Sequence, residues 1–391
     1  MLVTLPAAPM QLESPRAMFH MPPDITYLNC ANLAPRLHAV REAGRRAAER
    51  MAEPWRVTPA EWFSGAERLR GLFAGIVNAD AEGVALVPSA SYGIAVAAAN
   101  VAVERGQQLV VLDREFPSNV YAWRDLARRR EARLHTVQRT GEQSWTDAVV
   151  GSIGPATAVV AVPHCHWTDG TIVDLVEVGR RARAVGAALV VDGSQSVGAL
   201  PLDVAAVQPD FLVTVGYKWL LGPYGIAYLY VAPSRRSEGT PLERSWLARE
   251  GAEDFASLTA YRDSYRPGAR RFDMGGFPMF DLMPMAVAAL EQVLAWGVLS
   301  IQRSLTPLTR QFVEDVSGLG GCAPPSTACA GHLVGVRCPG GFPRSLIDAL
   351  AASRVYVSVR GDCLRVAPHL HNDLADMARL LAALRRGFNA A

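Results

Sequence analysis

Lys218 is the one lysine in a chain of 391 residues, and the other 38 of the 39 basic side chains are arginines. Arginine serves almost any solvated role, but only lysine can lose its proton and attack a carbonyl carbon as a neutral amine. A lone lysine in the run Thr214-Val-Gly-Tyr-Lys-Trp-Leu-Leu-Gly-Pro-Tyr-Gly225 therefore reads as a residue kept for Schiff-base chemistry. Asp192 stands 26 residues earlier (218 − 192), where the apolar run Ala187–Val191 ends. An acid there can pair with a protonated ring nitrogen, and the opposite charges keep each other ionised. Gln195, three residues on, can reach the same ligand through its amide. Alone, Asp192 reads more readily as a turn aspartate capping the chain reversal at Gly193.

These residues need a scaffold, and the sequence supplies an alternation of strand and helix patterns. Apolar runs at Gly83–Val87, Gln108–Leu112, Thr157–Val162, Ala187–Val191, Phe211–Val215 and Ile226–Val231 read as buried strands. Helical spacing lies between them at Tyr92–Val103, Ser118–Arg130 and Asp174–Val185. Continuous apolar strands in such an alternation imply a mainly parallel sheet covered on both faces. Asp192 then falls at the carboxyl end of a strand, where open α/β sheets bind ligands. Ahead of the sheet, an arginine-rich helix is expected from about Leu37 and another over Glu67–Val77, with an aromatic, proline-interrupted stretch between them. Arg262–Gly276 reads as a polar loop returning to a site, and Met283–Trp296 as a helix leaving the first domain. Beyond it the pattern is helix (Ser304–Val316), strand (Gly331–Arg337), helix (Pro343–Ala352), two strands (Val355–Val359, Cys363–Ala367) and helix (Asp373–Arg385). That is a smaller α+β unit.

Half of the residues are hydrophobic, enough for a large core, and the length suits two domains. A formal charge of +2, spread along the chain, offers no basic tract for nucleic acid or an anionic membrane. Arg128–Arg130 and Arg180–Arg181 fall on amphipathic helices and read as solvated faces. No run is long and apolar enough to span a bilayer. Met1–His20 has no basic segment ahead of a continuous apolar core, so no signal peptide is expected. Cys30, Cys165, Cys322, Cys329, Cys338 and Cys363 form no CxxC pair. His164 with His166, and His369 with His371, resemble half-sites without a third ligand. The expectation is a cytoplasmic protein with reduced thiols and no structural metal.

The combination Val191-Asp-Gly-Ser-Gln-Ser-Val-Gly198, Pro201-Leu-Asp203, Pro209-Asp-Phe211, Gly216-Tyr-Lys-Trp219 and Gly222-Pro-Tyr-Gly225 resembles the class V aminotransferase family. That family comprises fold-type I enzymes that use pyridoxal 5′-phosphate, among them cysteine desulfurases, kynureninases and isopenicillin N epimerase-like proteins. The resemblance runs from the Tyr27 segment past Arg365. It implies the α/β fold of type I, with a mainly parallel central sheet in a large domain and a smaller α+β C-terminal domain. The expected division is an N-terminal segment 1–26, a large cofactor-binding domain 27–282, and an interdomain helix with the small domain over 283–391.

The resemblance also implies roles. Lys218 would be the covalent attachment point and the base at the substrate Cα. Asp192 would pair with the pyridine nitrogen and Gln195 with the region of the ring hydroxyl. Tyr217 would contact the phosphate. Ser89-Ala90-Ser91 falls where the phosphate cradle belongs, and orphan N–H groups at a helix N-terminus suit an anion. Phe116 matches the aromatic stacked on the ring, and His166 the position near the ring oxygen. Arg365 would fork onto the substrate α-carboxylate, as its planar donors allow, with Arg360 and Asn29 as further substrate-binding candidates.

Two departures bear on the reaction. Met274-Gly-Gly276 stands where many relatives have Gly-Thr, a hydroxyl that reaches the phosphate from the partner subunit, so Gly276 could offer only its N–H. Val355–Arg365 passes directly between two strands, too short for a mobile cysteine-bearing loop, which disfavours persulfide-forming desulfuration. The expectation is a homodimeric aminotransferase acting on a small amino-acid substrate, with a lyase (C–S or kynureninase-type C–C cleavage) or an epimerase as alternatives. A PLP-binding regulator without catalysis is the remaining reading, disfavoured by the absence of a DNA-binding region.

Overall fold

The computed structural model of the chain describes residue 12 and residues 15–140, 143–317, 323, 328–337 and 341–389. Cys322 and Cys338, and most of the segment read for a signal peptide up to residue 14, lie outside them. The strands are β1 (Thr26–Tyr27), β2 (Val84–Val87), β3 (Gln108–Leu112), β4 (Arg133–Val137), β5 (Thr157–Pro163), β6 (Ala188–Asp192), β7 (Phe211–Val215), β8 (Ala227–Val231), β9 (Val334–Arg337), β10 (Val355–Tyr356), β11 (Ser358–Arg360) and β12 (Cys363–Val366). Seven of them form one sheet in the order β2-β8-β7-β6-β5-β3-β4. All seven run the same way except β8, which is antiparallel to β2 and β7. The mainly parallel sheet is therefore present.

Its strands are apolar at successive positions because both faces are covered. Val110, Val160 and Val191 point into one buried layer, while Leu109, Val159 and Val190 point into the other. This is the period-two alternation of a strand between two helical layers. β3 and β7 have the bounds that the sequence indicates. β4 escapes the pattern, since Arg133, Leu134, His135 and Thr136 are all at least partly exposed at the sheet edge. The helix Trp145–Ser152 was likewise not legible, although Ser144 caps it by accepting from the Asp147 N–H at 3.0 Å.

Of the two early helices, His38–Met51 begins near the expected residue. The second spans Glu61–Val77 and starts six residues before the expected Glu67. The Glu61 carboxylate accepts from the backbone and hydroxyl of Thr58 at 2.7 and 2.8 Å, which closes the aromatic stretch into the first turn. Arg70 on this helix is fully buried and grips Asp273 bidentately at 3.0 and 2.6 Å. Asp273 also accepts from the Leu86 N–H at 2.8 Å. The expected loop Arg262–Gly276 is thereby bound to β2, and it contains a 3₁₀ turn over Gly268–Phe272.

Met283–Trp296 forms as expected, and at Gly297 (φ 75°) the chain turns by 74° into the helix Val298–Ser317. No single helix among the described residues is long and apolar enough to cross a membrane. The C-terminal part carries a three-stranded antiparallel sheet, β11-β12-β9, with helices Arg344–Ala352 and Leu374–Asn389. The strand expected over Val355–Val359 is broken in two. Val355–Tyr356 pairs in parallel with β1, and Ser358–Arg360 forms a hairpin with β12. Where the large domain was expected to begin, at residue 27, the chain thus pairs with the C-terminal part. Leu28 is buried there in one cluster with Val355 and Ala367, and Cys30 N–H donates to Ala367 at 3.1 Å.

Candidate active site

Five parallel strands end around one cavity of about 160 Å³, walled by residues that follow β2, β3, β5, β6 and β7. This is the carboxyl edge where such sheets bind ligands. Asp192 is the last residue of β6, level with Pro163 of β5 and Val213 of β7. One of its oxygens accepts from the Ser194 N–H at 2.8 Å, and Gly193 N–H returns to the Val213 carbonyl at 2.7 Å. The turn therefore holds the carboxylate at the cavity wall, so the capping role and the ligand role coexist.

Lys218 also lines the cavity and is 7% exposed. Its loop is closed by Gly222 N–H donating to Gly216 at 2.8 Å and Gly216 N–H donating to Ile226 at 2.9 Å. A Cβ on Gly216 would come within 2.8 Å of the Ile226 carbonyl, so this closure requires glycine. Next to it, fully buried Trp219 donates from Nε1 to Gln195 Oε1 at 3.0 Å and pins the loop to the turn after Asp192. Gln195 Nε2 donates to Ala31 at 3.0 Å, so this amide, though on the cavity wall, already ties the N-terminal segment to the site. Burial, together with the cations Arg365 and Arg360, lowers the Lys218 amine to about 8, while Asp192 opposes the shift. Desolvation disfavours the ammonium, which readies a nucleophile near neutral pH.

On the cavity wall opposite in sequence, Ser89 caps the helix Ala90–Ala99 by accepting from the Tyr92 N–H at 3.1 Å. Ser91 donates to Ser118 at 2.8 Å, and Ser89, Ala90, Ser91 and Ser118 all line the cavity. A helix N-terminus with hydroxyls beside it is suited to a phosphate. Tyr217 lies on the same wall, its ring 4.5 Å from that of Tyr224. Phe116 presents its ring 5.4 Å from Lys218 Nζ and meets Trp167 edge-on at 5.4 Å.

His166, expected near the ring oxygen, is not among the residues that line this cavity. Its ring stacks on Trp145 at 5.3 Å, and Nδ1 lies 2.9 Å from the Thr168 hydroxyl and 3.6 Å from Asp169. Alternation of side chains turns Cys165 and Trp167 to the cavity instead. Glu115 was missed altogether. It is buried on the cavity wall, with Oε1 accepting from the Phe116 N–H at 2.6 Å and the Asn119 side chain also bonded to the carboxyl. Burial pushes its carboxyl up to about 7, against the charge of His166 and with that of Asp192.

Arg365, Arg360, Asn29 and Gly276 do not line the cavity. Arg365 is 2% exposed on β12 and donates to Ser358 Oγ at 3.2 Å and to the Trp167 carbonyl at 3.0 Å. Burial, with Arg360 beside it, lowers its guanidinium to about 10. Arg360 follows two residues after Ser358 on β11, so both project from one face of the hairpin, and its Nη1 donates to the Val359 carbonyl at 2.9 Å. Asn29 bridges to Ala367, with Oδ1 buried and without a partner among the described residues. Gly276 is exposed and far from forming a wall in its own chain.

The segment after β5 also joins the two parts of the molecule. Gly335 N–H donates to Asp169 at 3.1 Å and Ala330 N–H to Gly170 at 2.8 Å. Among the described residues, no three His, Cys, Asp or Glu side chains gather as a metal site. His332, His369 and His371 are instead buried near Trp219 and Phe19, with burial lowering each imidazole.

An open α/β sheet with a buried low-pKa lysine, a facing aspartate and a helix N-terminus at one cavity defines an enzyme domain built for a phosphorylated carbonyl cofactor. The chain belongs to the class V aminotransferase family, whose model, "Aminotransferase class-V", matches residues 57–387. It is 28% identical over 396 residues to isopenicillin N epimerase of Streptomyces clavuligerus, covering 95% of this chain and 97% of that one. The fold is similar to that of an apo cysteine desulfurase from Thermococcus onnurineus NA1, with a TM-score of 0.85, 20% identity, and 98% and 100% of the two chains covered. It is equally similar to a variant of C-DES with glycine covalently linked to its PLP cofactor, with a TM-score of 0.85, 21% identity, and 94% and 98% covered.

The residues present fit pyridoxal 5′-phosphate. The cavity joins an anion-binding helix start, an aromatic ring, a carboxylate and an amine, and Ser194 Oγ, from a residue on its wall, is buried without a partner among the described residues. Buried polar atoms without partners are costly, and a polar ligand relieves them.

Proposed function

We propose that this chain is a pyridoxal 5′-phosphate-dependent aminotransferase that acts at Cα of an α-amino acid. The observation that carries the reading is Lys218, the one lysine in the chain, buried on the cavity wall with its amine lowered to about 8. The cofactor, when bound, supplies the electron sink that makes a Cα proton removable. Lys218 is the group that carries it and then accepts and returns the proton at Cα. Asp192 would hold the ring-nitrogen end, the Ser89–Ser91 helix start and Tyr217 would hold the phosphate, and the Phe116 ring would stack on the ring between them. Arg365 orients the substrate carboxylate beside the lysine. With Nε donating to Ser358 and Nη1 to the Trp167 carbonyl, Nη2 is the donor left for the ligand.

The reading gives no part to a cysteine nucleophile. The thiols of Cys30, Cys165, Cys329 and Cys363 are all pushed up by burial, the last two to about 12, and Cys363 donates to the Thr168 carbonyl from inside β12. We further propose a homodimer, in which the exposed Gly276 of one copy offers its N–H to the other.

A second reading, inversion at Cα, is favoured by the near end-to-end likeness to an isopenicillin N epimerase. Both reactions pass a proton through Lys218. Holoenzyme incubated with an amino-acid panel in D₂O, with and without a 2-oxo acid, separates them. Transfer of the amino group to the oxo acid supports the first reading, and inversion with deuterium at Cα supports the second. Release of ammonia or sulfur without exchange at Cα overturns both.

A further inference from the structure

Arg114 and Asp362 have no part in the roles above, yet they close a ring of contacts around Arg365. Asp362 sits in the turn between β11 and β12, the hairpin that carries Arg365. Arg114 follows β3, in the segment that leads into Phe116. Arg114 Nη2 donates to Asp362 Oδ1 at 2.8 Å. The Arg114 carbonyl accepts from Trp167 Nε1 at 2.8 Å, and the Trp167 carbonyl accepts from Arg365 Nη1 at 3.0 Å. The chain from Asp362 to Arg365 completes the ring.

The backbone is shaped for these contacts on both sides. Arg114 has φ 54°, a left-handed conformation that a non-glycine residue keeps only where its surroundings over-determine it. Its carbonyl and its guanidinium are both engaged there. Gly361 has φ 61°, and a Cβ on it would lie 2.8 Å from Arg114 Nη2, so glycine lets the guanidinium approach the turn this closely. The Arg114 and Asp362 side chains are 47% and 50% exposed, and Arg337 on β9 lies 3.9 Å from the other Asp362 oxygen. An ion pair this exposed adds little to overall stability. What it fixes is where the hairpin lies against the cavity wall.

We propose that Arg114 and Asp362 are positioning residues for Arg365: their ion pair clasps the β11-β12 hairpin to the segments that carry Phe116 and Trp167, and so holds the guanidinium where the substrate carboxylate arrives. The inference rests on the reading of Arg365 given above. Without the clasp the hairpin spends part of its time off the wall, and the apparent affinity for a carboxylate falls in proportion.

Glycine and methylamine differ only in the carboxylate, and their binding to holoenzyme tests this. Dissociation constants are read from the initial change in cofactor absorbance on mixing, with no amino acceptor present. Wild type, Arg114→Asn, Asp362→Ala and the double variant are compared, each checked for folding by circular dichroism. Asparagine tolerates the left-handed backbone at position 114. Each single substitution should weaken glycine relative to methylamine by about two- to fivefold, the effect of losing an exposed ion pair. The double variant should lose no more than either single one, since both break the same pair. The difference from wild type should shrink in about 0.5 M NaCl, which screens the clasp. An unchanged ratio of glycine to methylamine affinity, losses that add in the double variant, or a loss indifferent to salt would each overturn the proposal. Arg365→Gln should collapse the ratio furthest, and if it does not, the role of Arg365 and this inference fall together. Absence of an absorbance response to either ligand in wild type would overturn the cofactor reading and the inference with it.

Discussion

The lowered pKa of Lys218 makes a quantitative prediction about cofactor attachment. With the amine at about 8, about 9% of Lys218 is neutral at pH 7, against about 0.03% for a lysine at its ordinary 10.5. Burial thus raises the reactive fraction roughly 300-fold. The rate at which apoprotein captures pyridoxal 5′-phosphate should climb with pH and level off just above 8. Two substitutions move that midpoint in opposite directions. Asp192 stabilises the ammonium, so Asp192→Asn should shift it down, while Arg365 and Arg360 destabilise it, so Arg365→Met should shift it up. The assay is stopped-flow absorbance followed by borohydride reduction and peptide mass spectrometry. No other lysine competes, so a lysine adduct must fall in the peptide that contains Lys218. A rate still rising through pH 10, or attachment that survives Lys218→Arg, would refute the reasoning.

Further consequences concern stability. Arg70→Met would strand the buried Asp273 carboxylate and should destabilise the protein by about 3–5 kcal/mol in urea titrations. Gly170 has φ 78° and a Cβ there would lie 2.0 Å from the Leu333 carbonyl, so Gly170→Ala should lower stability by about 2 kcal/mol or more in the same titrations. His164, His332 and His371 are lowered to about 4 by burial. Unfolded imidazoles protonate near 6.5 while these stay neutral, so their contribution is whole above pH 6.5 and is lost as pH falls towards 4. Tm measured from pH 7.5 to 4 should decline most steeply below 6.5, and a flat profile there would count against the burial of these rings.

Much of the large sheet could be read from the sequence, since a strand buried on both faces is apolar at every position. β3 and β7 were legible to the residue for that reason. β4 was not, because an edge strand mixes Arg133, His135 and Thr136 with its apolar residues. The single strand expected over Val355–Val359 failed for a different reason. Its two halves pair with segments far apart in sequence, β1 and β12, and no local pattern encodes that division. At the site, residue type identified Lys218 and Asp192, but facing was lost where neighbours differ by one position. His166 was chosen, and the chain turns Trp167 to the cavity instead.

What the sequence by itself determined is the chemistry available: a lone lysine, an acid at a strand end, hydroxyls at a helix start and an arginine on a C-terminal strand. These follow from residue type and period, which are local properties. The tertiary structure alone decided how those groups are tuned. Burial at the convergence of five strand ends lowers Lys218, raises Glu115 and threads Arg365 against Trp167. Desolvation and charge proximity depend on which distant segments meet, and that information exists only once the chain has folded.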